Sequence, residues 1–438
     1  MLESAAHVYA SFKSALAALA GSFWFVPTLI ALSLLLLALA IIAVDSLDYV
    51  FGMRDAWFFP RFGPEGARAV LTTIAGGMMT MASLVFSLTF VGLTLLAGQL
   101  GARILMFFMH DKTTQFMLGT FVGVFLFALT ALGNVSELQD GFVPSLTVAA
   151  AIGLATLAFG LVIYFVHHMA LSIQADVIVA DLGERFCQAI ARIAQTAASS
   201  DIAASRKAES LFTDLEGDPV PAPSSGYIRY IDYDALVAAA RKRGLRIRLV
   251  VRPDDYVHHA GPLMYVEGSD VNIGALAKTI RMGQRRDILQ EATYEARALV
   301  DVALRALSPG INDPNTAVAA INQLSAGLVA LTRAAIPPNV LFDREGNPVL
   351  IRPHLGVAHY LDLVIPTLAP VLRSDTLATE AVIALLTTLH RVARDPLEIE
   401  EIERWLGVIR ADISNYALPL ALIEWLEKAC ELDSTPAP

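Results

Sequence analysis

The run AVLTTIAGGMMTMASLVFSLTFVGLTLLAGQLGA (residues 69–102) contains no charged side chain. As an α-helix it would extend about 50 Å at 1.5 Å per residue, well beyond the ~30 Å hydrocarbon core of a bilayer. Such a segment belongs in lipid, either tilted or reaching past the membrane. Its neighbours share the character: residues 21–44, 114–135 and 143–166 are also uncharged and apolar. With 69–100 they predict four transmembrane helices and a membrane domain over 1–168. The first is not a cleavable signal peptide, because its apolar run is too long and no clean small-residue cleavage site follows.

The rest of the composition agrees. Of 438 residues, 55% are hydrophobic and only 17% charged, against about 25% charged in a typical soluble domain. A net charge of −10 excludes a nucleic-acid partner, which would need a basic face. Cys187 and Cys430 have neither disulfide nor metal-ligand spacing, which fits a reducing compartment. An even number of spans puts both termini on one side. Lys13, Arg103 and Lys112 fall on that side, and the loop with Glu137 and Asp140, which lacks Lys and Arg, falls on the other. The positive-inside rule then predicts cytoplasmic termini in the inner membrane, although Arg54, Arg61 and Arg68 in the first loop run against it.

Beyond the membrane domain, 169–225 reads as an amphipathic helix followed by a Pro/Ser-rich linker, with Ile173, Val177, Ala180, Phe186 and Ile190 as the apolar stripe. Over 226–271 the apolar period shortens to two in YIRYID and LRIRLVV, with a helical patch at 234–243 between them. The turn–strand–turn–strand form of RPDDYVHHAGPLMYVEG (252–268) resembles the small barrels of biotinyl and lipoyl carrier domains. It lacks a carrier lysine at a hairpin tip, so only the shape is implied: a small β-barrel and no cofactor. Residues 272–438 read as a helical domain, with one long charged helix over 273–307, a second over 314–335, a hairpin at 339–355 turning at Asp343–Gly346, and a helical bundle broken near Pro366, Pro396 and Pro419. The fold class is therefore membrane α-helical plus a cytoplasmic α+β region with a small β-barrel and a helical bundle.

Two constellations stand out. In the second span Thr80, Ser83, Ser87 and Thr94 share one face that ends near Gln99. Hydroxyls so placed can line a wet path, and the same small residues also serve close helix packing. None of the four apolar cores holds Asp, Glu, Lys, Arg or His, which argues against proton coupling through intramembrane carboxylates. The second constellation is Arg286, Asp287, Gln290, Arg297, Asp301 and Arg305, leading into SPGINDP (308–314). Arg297, Asp301 and Arg305 recur every fourth residue and can form a ladder on one face. The face suits a small anionic ligand or ion, a subunit contact or a structural ion-pair network. In SPGINDP, Pro309 ends the first helix, Gly310 can take the positive φ of the reversal, and Asp313-Pro314 caps the next helix. Asn312 has no such explanation. His167, His168, His258 and His259 read as interfacial or surface residues, and no catalytic motif is present.

FSLTFVGLTLLAGQLGARIL, DKTTQFMLGTFVG, the stretch from GYIRYID to GPL, and above all ALSPGINDPNTA resemble the bacterial predicted-membrane-protein family known as domain of unknown function 2254. The resemblance runs over nearly the whole chain. It implies four N-terminal spans, a cytoplasmic domain and an inner-membrane location, and no activity. The reading it leaves is a homo-oligomeric inner-membrane protein, not an enzyme, that forms a channel-like path for ions or small solutes, gated or assembled by its cytoplasmic domain. The alternative is a membrane-anchored ligand sensor or scaffold without transport.

Overall fold

The computed structural model describes residues 23–51, 62–101, 111–135, 143–197, 202–213, 215–269, 271–284, 292–334, 339–353, 356–413, 415 and 419–430. It divides into two compact units, Met1–Gln174 and Ala175–Pro438.

The first unit holds α1 (Phe25–Phe51), α2 (Pro64–Leu100), α3 (Lys112–Gly133) and α4 (Ser145–Ser172). All four are long and apolar enough to cross a membrane. Helix α3 packs against each of the others. Its glycines let α1 approach closely: a Cβ at Gly119 would lie 2.8 Å from the Pro27 Cα, and at Gly123 it would strike Leu34. Such small residues replace the hydrophobic driving force that lipid does not supply. Leu71, Phe121, Phe127 and Phe165 are buried between the helices, while Leu29, Leu36, Phe90 and Leu157 face outward. Helix α2 begins five residues before the uncharged run, at Pro64, where a proline is favoured in the first turn.

In the second unit, α5 (Ala175–Ala197) follows α4 after a break at Ile173–Gln174. The predicted stripe shifts: Val179, Leu182, Phe186, Ala189 and Ile190 are buried, and Val177 is exposed. The segment read as a linker contains α6 (Ile202–Thr213) and β1 (Asp218–Pro221). Phe212 of α6 is buried in a core shared with Val340.

The predicted small barrel does not form. The strands β2 (Gly226–Ile231), β3 (Arg246–Leu249), β4 (Tyr256–Val257), β5 (Pro262–Glu267), β6 (Ile280–Gly283), β7 (Val340–Phe342) and β8 (Pro348–Ile351) join β1 in two open sheets. Their orders are β1-β5-β3-β8-β7 and β4-β2-β6. Closing a barrel requires the edge strands to find each other. Here the free edge of β3 is taken by β8, in parallel, from about a hundred residues later (Ile247 opposite Leu350). The two sheets and α7 (Tyr233–Arg243) share one core of Ile228, Leu236, Ile247, Leu263, Met264 and Leu350.

The long helix expected over 273–307 is also interrupted. A short α8 (Ile273–Ala277) precedes β6, which pairs with β2, and helix resumes as α9 (Thr293–Ala306). Tertiary pairing overrides helical propensity there: Ile280 is buried and the Arg281 guanidinium lies over the Tyr230 ring. Helix α9 packs against α5, α10 (Pro314–Arg333) and α11 (Val357–Leu372). Pro366 and Pro370 lie inside α11 rather than ending it. Helices α12 (Thr376–Val392), α13 (Pro396–Ile413) and α14 (Leu420–Ala429) complete the bundle.

Candidate functional site

Helix α2 buries Leu71, Met78, Ala82, Val85 and Leu96 against its neighbours. At 100° per residue the predicted polar stripe falls on the opposite side. Thr80, Ser83, Ser87 and Thr94 are all exposed, so the stripe lines no internal passage of a single chain. The hydroxyls of Thr80, Ser83 and Thr94 donate to the carbonyls of Gly76, Met79 and Phe90, four residues back in the same helix, at 2.9–3.0 Å. They are thereby satisfied in lipid, and their lone pairs remain available to an outside donor. A Cβ at Gly76, on the same face, would meet no atom within 4 Å. The Gln99 side chain lies outside the described residues.

Two polar clamps hold the bundle, and neither is visible in a single stretch of sequence. Asp45, near the end of α1, is 8% exposed. Its carboxylate accepts from the Leu146 and Thr147 amides at 3.1 and 2.8 Å and from the Thr147 hydroxyl at 2.6 Å. It thus caps α4 from another helix. Asp111 caps α3, accepting from the Thr113 and Thr114 amides and the Thr114 hydroxyl. His168 of α4, read from sequence as interfacial, has its Nε2 2.9 Å from the same carboxylate. Burial alone would raise the Asp111 carboxyl, but the bonds from Thr114 and His168 outweigh it and hold the group below the ordinary carboxylate range. The cap had a sequence signal: Asp111 and Thr114 repeat the Asp–Thr spacing of Asp313 and Thr316.

These elements place the chain among known proteins. A family model described as predicted membrane protein (DUF2254) matches residues 20–388. The chain belongs to this family. Uncharacterized proteins of Mycobacterium bovis and Mycobacterium tuberculosis are each 30% identical over 393 residues, covering 86% of this chain and 75% of theirs. No solved structure matches.

In this DUF2254 chain the SPGINDP loop is built by backbone needs. Leu307 and Ser308 amides close the end of α9 on Ala303 and Arg305, and the Asp313 amide returns to the Ala306 carbonyl at 2.8 Å. The positive φ falls on Asn312 (50°) rather than on Gly310. That explains the asparagine, whose short polar side chain tolerates the left-handed region. Asp313 caps α10, accepting from the Thr316 amide at 3.2 Å and hydroxyl at 2.6 Å.

Arg286, Asp287 and Gln290 lie outside the described residues. Arg297 pairs with Asp254 (Nε to Oδ2, 3.0 Å). Asp254 also holds a positive φ, of 76°, in the region that aspartate, like asparagine, enters more readily than other residues with a Cβ. Asp301 is half-buried and Arg305 exposed, on the same helix. Beside this pair, Arg252 Nη1 lies 2.8 Å from His359 Nδ1, so that ring nitrogen is the acceptor. The turn at 252–255 is therefore tied to both α9 and α11.

Glu295, one of the charged residues leading into SPGINDP, was given no role by the sequence reading. It is 4% exposed in α9, and its Oε2 has no hydrogen-bond partner among the described residues. Burial raises its carboxyl, while Arg192 and Arg185 of α5 pull the other way. His258 and His259 are exposed. Both cysteines are free thiols, and burial pushes Cys430 up to about 11. Among the described residues no three His, Cys, Asp or Glu side chains converge on a metal site.

Proposed function

We propose that this chain works as a homo-oligomer in the bacterial inner membrane, with its α2 helices meeting around a channel-like path for ions or small solutes. The termini and the second unit lie in the cytoplasm, where that unit assembles or gates the path. The observation that carries this reading is the exposed face of α2. Gly76, Thr80, Ser83, Ser87 and Thr94 turn away from the other three helices, and a Cβ at Gly76 would meet nothing within 4 Å beyond its own stretch of helix. Small residues at this spacing suit close approach of a second α2, and hydroxyls bound to their own helix still offer oxygen lone pairs to a passing cation or water.

The test uses single cysteines in a chain whose Cys187 and Cys430 are replaced by alanine. Ser83→Cys and Ser87→Cys should crosslink between copies in native membranes, whereas Leu157→Cys on α4 should not. Proteoliposomes should pass small ions, and a charged thiol reagent should reduce that flux in Ser87→Cys. Absent crosslinks together with flux no greater than in protein-free vesicles would sink the reading. Crosslinks without flux would point to a membrane-anchored scaffold.

A further inference from the structure

Between α2 and α4 the membrane unit carries an open groove of about 700 Å³. Ala69, Thr73, Gly77 and Met81 line one wall, and Ala155 and Phe159 the other. Ala69 and Thr73 sit at the upstream end of the polar stripe, and from there the groove turns away, its Gly77 lying about 100° around the helix from Gly76. It has few polar atoms: the Thr73 hydroxyl donates to the Ala69 carbonyl at 2.8 Å and that of Thr156 to the Ile152 carbonyl at 2.9 Å, which leaves only their oxygen lone pairs to a ligand. A polar ligand would find little to bind.

The dimensions choose between apolar occupants. From Ala69 to Met81 the wall runs about 18 Å along the helix, close to the ~15 Å of a single leaflet. It starts where charge ceases, with Glu65 and Arg68 in the turn before Ala69. A helix from a second copy would cross both leaflets and follow the Gly76–Thr94 stripe rather than turn off it towards Met81. A groove about as long as one leaflet fits a flexible chain anchored at the interface. Glycine weakens a helix interior relative to alanine, and a Cβ placed at Gly77 would meet nothing within 4 Å beyond its own stretch of helix, so the groove is open there.

We propose that this groove is a resident site for an acyl chain of a membrane phospholipid. The inference does not depend on the oligomeric path proposed above.

The test reconstitutes the full chain with a phospholipid carrying a photoactivatable diazirine in its acyl chain and maps the adducts. Labelling over 69–81 and 152–159 should exceed that on the exposed α1 face at Leu29 and Leu36 by about tenfold, the ratio that 1.4 kcal/mol of preference produces. Gly77→Phe and, separately, Thr156→Phe should bring it down to the α1 level, while Gly77→Ala keeps it. The two filling variants come from different helices, so the misfolding of one leaves the other to decide. Equal labelling of both faces, or groove labelling undiminished in a folded filling variant, would overturn the proposal. So would an unlabelled groove in which Thr73→Cys crosslinks to a second copy.

Discussion

Asp45 in the membrane unit and Glu295 in the second unit are both buried acids, at 8% and 4% exposure, and their surroundings differ in kind. Asp45 receives three donors from the first turn of α4. Glu295 keeps one carboxylate oxygen without a partner, with arginines of α5 acting only through space. In the membrane unit the buried Asp45 is a helix cap that joins separate segments. Where water is near, one buried acid is left with its charge poorly served. The first arrangement fixes a structure, and the second makes stability depend on protonation.

The largest effect is expected from breaking the fully bonded case. Asp45→Ala strands three donors, two of them buried, and should cost about 3 kcal/mol, seen as a lower unfolding midpoint in detergent. Asp45→Asn, which keeps an acceptor, should cost less, and an unchanged midpoint in both variants would show the clamp to be dispensable. The pH dependence should then separate the two units. The folded Glu295 carboxyl is raised, so the folded state holds the extra proton. Its contribution is present at low pH and is lost as pH rises from the ordinary carboxylate range through the raised value, with a slope of at most ~1.4 kcal/mol per pH unit. Asp111 is lowered, so its contribution is present above the ordinary range and is lost as pH falls through the depressed value. Glu295→Gln should flatten the first trend and Asp111→Asn the second; identical pH profiles in these variants and the parent would erase the contrast.

Smaller effects test the local caps of the second unit. Asp313→Ala should cost about 1 kcal/mol, the usual value of a helix N-cap. Asn312→Val should cost about 1 kcal/mol, because a β-branched residue fits the left-handed region poorly. Asn312→Gly and Gly310→Ala should both stay within about 0.5 kcal/mol, since neither violates the observed backbone. A severe loss in Gly310→Ala would mean that Gly310, rather than Asn312, carries the reversal.

These contrasts also explain what could be read from the chain. The spans were legible because an uncharged apolar run is a local property, needing no knowledge of what lies beside it. The Asp313 cap and the hairpin turn at Asp343–Gly346 were legible for the same reason. The β6 strand was not: TIRMG has a helical look until β2, some fifty residues earlier, pairs with it. The barrel failed similarly, because two strands and two turns say nothing of a partner arriving from residue 348. Asp45 and the His168 contact of Asp111 escaped notice because their partners in α4 lie far along the sequence, whereas the Asp111–Thr114 cap was there to be read. The polar stripe of α2 was visible as a face, but only the packing showed that it points outward. Asn312 could have been found, since asparagine is among the few residues that accept a positive φ.

The pairing of β3 with β8 sets a schedule for synthesis. Leu249 and Pro348 are separated by about a hundred residues, which a ribosome takes roughly 5–20 s to add. Until then β3 presents an open edge beside Ile247 and Leu249, the kind of surface that recruits chaperones or stray strands. Helices α9 and α10 emerge within that interval and can pack on α5 before the sheet is finished. A nascent chain stalled before residue 348 should therefore be helical, sticky along β3, and freed of that stickiness once the hairpin arrives.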